Sequence, residues 1–142
     1  MSLPAEQTAP PNSARKVRWI VAGLFVVLVA FIVMNLPRGY SDDLSPIGTG
    51  KAAVVLVRDK NAVQSFDLMN VLDSVRDQFG GKVLFLLTDF DTPQGREFMA
   101  ANHTGRATLV LLDTRGSPVK VLSAPQTAGN LTQEITALLG EK

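Results

Sequence analysis

The residues best placed for chemistry lie in RDKNAVQSF, residues 58–66, where the apolar run KAAVVLV gives way to a helical pattern. A junction where a strand ends and a helix begins is a favoured place for a nucleophile or an anion site. This one holds no Cys, no His and no Gly-rich loop. Ser65 is its only hydroxyl, and no base lies near it in sequence. The single histidine, His103, closes a helical stretch just before Gly105. There a cation suits the helix dipole, and no second His or Cys exists to share a metal with it. Asp89 and Asp91 alternate at a strand end and so share a face. Two such carboxylates can bind a hard cation, or simply sit solvated in a loop. TPQGREF lacks the Gly spacing and Lys of a phosphate loop, and DTRGSP reads as a turn. No catalytic constellation, metal centre or cofactor site emerges.

Composition narrows the classes further. The chain has 142 residues, a formal net charge of +1 and no cysteine. Disulfides, thiolate catalysis and Cys-ligated metals are thereby excluded. A net charge near zero gives no global pull toward nucleic acid. The charge is unevenly placed. Arg15, Lys16 and Arg18 stand against Glu6 in residues 1–18, whereas residues 39–142 are mildly acidic.

Residues 19–36, WIVAGLFVVLVAFIVMNL, carry no charge and one polar side chain, Asn35. At 1.5 Å per residue this run covers about 27 Å, close to the thickness of a bilayer's hydrocarbon core. Trp19 and Tyr40 flank it at depths that suit interfacial rings. Pro37 and Gly39 are placed to stop the helix. The basic residues Arg15, Lys16 and Arg18 precede the run and act as topology determinants. By the positive-inside bias, the N-terminus stays cytoplasmic and residues 39–142 face the periplasmic or extracytoplasmic side of an inner (cytoplasmic) membrane. The alternative is a cleaved signal peptide. The run is longer than the usual apolar core of such a peptide, and no small-x-small site follows it, so the sequence favours a retained anchor. Residues 1–18 read as a disordered tail with a basic cluster, and residues 37–50, PRGYSDDLSPIGTG, as a linker.

Residues 51–142 are enough for an independent core. The run at 52–57 reads as a strand buried on both faces. Residues 62–79 read as an amphipathic helix with Asn61 as N-cap, an apolar stripe of Val63, Phe66, Met69, Leu72, Val75 and Phe79, and Gly80-Gly81 as its stop. A second buried strand follows at 83–91, then a helix capped by Asp91 or Thr92 with Pro93 in its first turn and Phe98 and Met99 facing inward. Strands at 108–113 and 119–124 form a hairpin. Asn130, with Gln133 at the capping-box position, opens a last helix whose apolar face is Leu131, Ile135, Leu138 and Leu139. The order is an α/β arrangement, β-α-β-α-β-β-α. Helical connections between the first three strands predict that they run parallel.

This order resembles the thioredoxin fold. AVVLV is similar to that family's central strand, NVLDSVRDQFGGKVLFLLTDFD to its passage from active-site helix to next strand, GRATLVLLDTRGSPV to its Gly-x-Pro-Thr segment and hairpin, and NLTQEITALL to its closing helix. The resemblance implies a thioredoxin-like sandwich over 51–142 behind a single transmembrane helix. It places Ala62, Val63, Gln64 and Ser65 where the family carries Cys-x-x-Cys, and Ala107 where it carries a cis-proline. A trans bond is the default before a non-proline residue. Since a serine oxygen cannot replace a thiolate in disulfide exchange, dithiol chemistry is absent. The resemblance further implies a partner-binding groove between Lys60, Asn61, Ala62, Val63, Gln64, Ser65 and the facing Arg106 and Ala107. The expected role is that of an accessory subunit or assembly factor docking on an integral membrane protein or complex, anchored in the bilayer through residues 19–36. The alternative is a docking partner in a thiol-disulfide or peroxide-handling system whose cysteines lie on another chain.

Overall fold

The computed structural model of the protein describes residues 13–35 and 39–140. Residues 1–12 of the expected tail, and Pro37 as helix stop, lie outside the described residues. The chain divides into two compact units, Met1–Gly39 and Tyr40–Lys142.

The first unit is one helix, α1, Ser13–Asn35. It begins earlier than residues 19–36, so the basic cluster is helical and not part of a disordered tail. Ala, Arg and Lys are good helix formers, and the last proline of the N-terminal stretch is Pro11. Arg15–Asn35 is long and apolar enough to cross a membrane, and none of its apolar window is buried. At the far end Asn35 Nδ2 donates 2.8 Å to the Phe31 carbonyl, which satisfies its amide within the helix.

The second unit is a four-stranded sheet in the order β2-β1-β3-β4. Its strands are β1 (Ala52–Arg58), β2 (Val83–Asp89), β3 (Thr108–Leu112) and β4 (Pro118–Ser123); its helices are α2 (Val63–Phe79), α3 (Pro93–Asn102) and α4 (Ala128–Gly140). The element order matches the sequence expectation. One strand direction does not. β1 and β2 are parallel, but β3 runs antiparallel to β1, and β4 antiparallel to β3. Asp89 at the end of β2 pairs with Arg58, and Thr108 at the start of β3 pairs with Val57. Both ends of the α3 connection therefore lie at the same edge of the sheet. β3 therefore starts where β2 ends and runs back along β1, which makes it antiparallel.

β1 is buried on both faces, as its unbroken apolar run requires. Val54 and Leu56 join Leu109 and Leu111 in a core under α2 and α4, with Leu68, Leu72, Leu131 and Ile135. On the other face Ala53, Val55, Val57, Val110 and Leu112 pack beneath Phe98 of α3. In β4 only Leu122 is buried, and Val119 and Val121 stay exposed.

Three local readings are corrected. Residues 40–50 are packed on the domain and are not a free linker. Tyr40 lies against the α2 core and donates its phenol to Asp73, with Arg76 stacked 4.6 Å over its ring. Burial, reinforced by the Asp73 carboxylate, pushes that phenol well above its ordinary pKa. The Leu87 amide donates 3.0 Å to the Ser41 carbonyl along the β2 edge, and Leu44 and Ile47 cover the α3 face. The apolar stripe of α2 also differs: Ser65, Leu68, Leu72, Val75 and Phe79 are buried, whereas Val63 and Phe66 are 70% and 55% exposed. Finally, the caps move. Ala62, not Asn61, precedes α2 and offers no side-chain bond. Thr127, not Asn130, starts α4; its Oγ1 accepts the Asn130 amide at 3.2 Å and its carbonyl the Leu131 amide at 3.0 Å. For α3 the expected cap holds, with Thr92 Oγ1 accepting the Gly95 amide at 3.0 Å behind Pro93.

Candidate functional site

The ends of β1 and β2 and the start of β3 bring three short loops together at one edge of the sheet. The β1 loop is organised by Asp59, a buried carboxylate. Its backbone amide donates 2.9 Å to Ser65 Oγ, and its Oδ1 accepts the Asn61 amide at 2.9 Å. Its carbonyl accepts the Ala62 amide at 3.1 Å. These bonds cap the start of α2 without any help from Asn61's side chain. Asp59 Oδ2 meets Arg106 Nη1 of the facing loop at 3.4 Å, and Arg106 stacks 5.4 Å over the Phe90 ring. A buried charge thus links the β1 loop to the β3 loop.

Beside it Arg58 grips Asp89 with two bonds, Nε to Oδ1 at 2.6 Å and Nη2 to Oδ2 at 3.1 Å. Lys60 Nζ reaches Oδ2 at 2.9 Å. The pairing is dictated by register, because Arg58 and Asp89 are opposite residues on parallel strands. The Arg58 hydrogen bond, aided by Lys60 and opposed by desolvation, holds the Asp89 carboxyl below its usual range. The same bond raises the Arg58 guanidinium. A folded-state pKa below the unfolded one means that the stabilisation is fully present above about pH 4, the ordinary carboxylate value. It fades as pH falls through the depressed folded value. Asp89→Asn is therefore expected to cost about 2 kcal/mol at neutral pH. Urea titrations of the two proteins should converge as pH drops below 4; a gap that persists in acid would refute the ion-pair account.

The β3 loop carries a strained residue. Ala107 adopts φ +54°, a left-handed conformation that a Cβ disfavours. Its amide donates 2.8 Å to the Val57 carbonyl, which pins the loop to β1. Ala107→Gly is expected to gain about 0.5–1 kcal/mol, the strain relieved less the entropy of a freer unfolded chain. A lowered urea midpoint would contradict it.

The residues expected to form a groove are brought together here, but not all face outward. Lys60, Asn61, Val63, Gln64 and Arg106 are exposed, Ala62 and Ala107 are half-buried, and Ser65 is buried. Ser65 Oγ is committed to the Asp59 amide and offers no reachable nucleophile. His103 is an exposed left-handed C-cap whose amide donates to the Met99 carbonyl. Both Asp89 oxygens face cations, and among the described residues no group of three or more His, Cys, Asp or Glu could hold a metal. Sequence reading missed Arg58, Asp59, Asp89 as an ion pair, and the exposed Phe66. The signal was there in part: alternating charges in RDK and DFD end two strands that were expected to be neighbours.

The chain is similar to the solution structure of an uncharacterized thioredoxin-like protein from Clostridium perfringens, with a TM-score of 0.62 and 14% sequence identity over 70% of this chain and 79% of that one. The fold is thioredoxin-like. No family model matches the sequence, and no curated protein does. Ala62–Ser65 lie at the junction of β1 and α2, and the chain has no cysteine. That edge holds ion pairs in which Lys60 and Arg106 are exposed, and Val63 and Phe66 are exposed on the first two turns of α2.

Proposed function

We propose that the protein is a single-pass membrane protein whose redox-inactive thioredoxin-like domain serves as a docking module, either an accessory subunit or an assembly factor of a membrane protein complex. The reading is supported by the ion pairs that fix the loops at the ends of β1 and β2, and by the apolar side chains of Val63 and Phe66 left exposed on the first turns of α2. Exposed large apolar groups next to paired charges are the composition of an interaction surface. The packing of Tyr40–Ile47 onto the domain adds a second reason. Only five Cα steps separate Asn35 from Tyr40, so the tether spans at most about 19 Å. A short tether raises the effective concentration of the domain toward other proteins of the same bilayer. The cationic N-terminal end of α1 supports a cytoplasmic N-terminus and a periplasmic domain.

The absence of native cysteine makes both parts testable with unique labels. Gln133→Cys is expected to react with an impermeant maleimide in intact spheroplasts, and Thr8→Cys only after lysis; the reverse pattern would sink the orientation. A photo-crosslinking residue at Val63 or Phe66 is expected to capture an integral membrane protein, whereas one at Thr136 on exposed α4 captures none. Equal capture at all three positions, or a monomer free of adducts in intact membranes, would overturn the docking role.

A further inference from the structure

We propose that Arg15, Arg18 and Trp19 form a binding site for the phosphate of an anionic phospholipid. This rests on the reading of α1 as a membrane span. Because the helix starts at Ser13, the basic residues are not a loose arm but have fixed angular positions. Arg15, Arg18, Trp19 and Ala22 fall at i, i+3, i+4 and i+7 and line one concave surface. Lys16 points about 100° away from Arg15.

The chemistry of that surface is specific. Two guanidinium groups one turn apart present forked donors, which match phosphate oxygens better than a lysine's point charge does. Helix α1 contains no acidic residue, so neither arginine has an anionic partner within it. Trp19 is 78% exposed, directly below the arginines, at the depth where an indole lies among headgroups. Ala22 adds no bulk one turn further in, which leaves room for a glycerol backbone against the helix. Charge complementarity thus selects a negatively charged headgroup, and the indole and Ala22 select one attached to a lipid over a free anion.

Trp19 is the only tryptophan, so its fluorescence reports this surface alone. The full chain is reconstituted in nanodiscs of phosphatidylcholine containing increasing fractions of phosphatidylglycerol. Trp19 emission is expected to shift to the blue and saturate. Arg15→Gln and Arg18→Gln should each raise the half-saturating fraction about fivefold, and Lys16→Gln less than about twofold. Inorganic phosphate added to pure phosphatidylcholine discs should leave the emission unchanged. An equal effect of all three substitutions would reduce the site to diffuse attraction and overturn the proposal. So would a response to inorganic phosphate, which would assign a free-anion site. Insertion without discrimination between the lipids would overturn this proposal alone, whereas failure to enter phosphatidylcholine discs would overturn the membrane reading beneath it.

Discussion

Gly95→Ala is expected to destabilise the domain by about 3 kcal/mol or more, a lowering of the urea midpoint by at least about 1 M. Gly95 is buried in the first turn of α3, with its Cα against the end of β2. A Cβ there would lie 1.9 Å from the Asp89 carbonyl oxygen and 2.8 Å from its carbon. Neither is a flexible side-chain tip, so backbone must move. The helix cannot simply lift, because Thr92 caps it through the Gly95 amide and also donates 2.8 Å to the same Asp89 carbonyl. Displacing this turn would also shift the residue that holds Arg58 and Lys60. The damage should therefore reach these ion pairs as well as the fold. Gly129→Ala is the matched control: it sits in the first turn of α4 with nothing within 4 Å of the added carbon. It should gain about 0.5 kcal/mol from helix propensity. If Gly95→Ala were as stable as the parent, α3 could not be seated against Asp89 as described.

Several features were legible because one physical rule governed each. An uninterrupted apolar run had to be a strand covered on both faces, and β1 is one. Thr92-Pro93 had few options besides a helix start, and the cap formed. The features that escaped needed two distant segments to be known at once. Nothing in the period of residues 93–102 states the angle at which α3 crosses the sheet, so the direction of β3 was lost. Residues 40–50 have the composition of a spacer, yet four of them, Tyr40, Ser41, Leu44 and Ile47, find partners on β2 and in both cores. At the candidate site the loop position was readable from resemblance alone. Its chemistry was not, because the Arg58–Asp89 grip follows from strand register and the Asp59–Arg106 contact from loop geometry.

Helix α2 is the sharpest case, and it supplies the second large effect. Two stripes compete in its sequence: Val63, Phe66 and Met69, or Ser65, Leu68 and Leu72. They merge further along at Leu72, Val75 and Phe79, so only the first two turns differ. Hydrophobicity alone favours the stripe with Phe66 over the one with Ser65. The structure takes the other, because Ser65 is not placed there as a core residue. Its hydroxyl satisfies the otherwise unpaired Asp59 amide at the end of β1, and this turns Leu68 into the core. Leu68 is 0% exposed and lies among β1, β3 and α4 side chains. Leu68→Ala is therefore expected to cost about 3 kcal/mol, the transfer loss plus an unfilled cavity. Phe66→Ala should stay within about 0.5 kcal/mol of the parent, because its ring is already largely in solvent. The opposite ranking would mean that α2 is rotated by about 100° and that Phe66 belongs to the core. The expected ranking leaves an aromatic side chain largely in water, with no role in stability. Phe66→Ala should therefore spare folding, and on the docking proposal it should weaken capture of the partner.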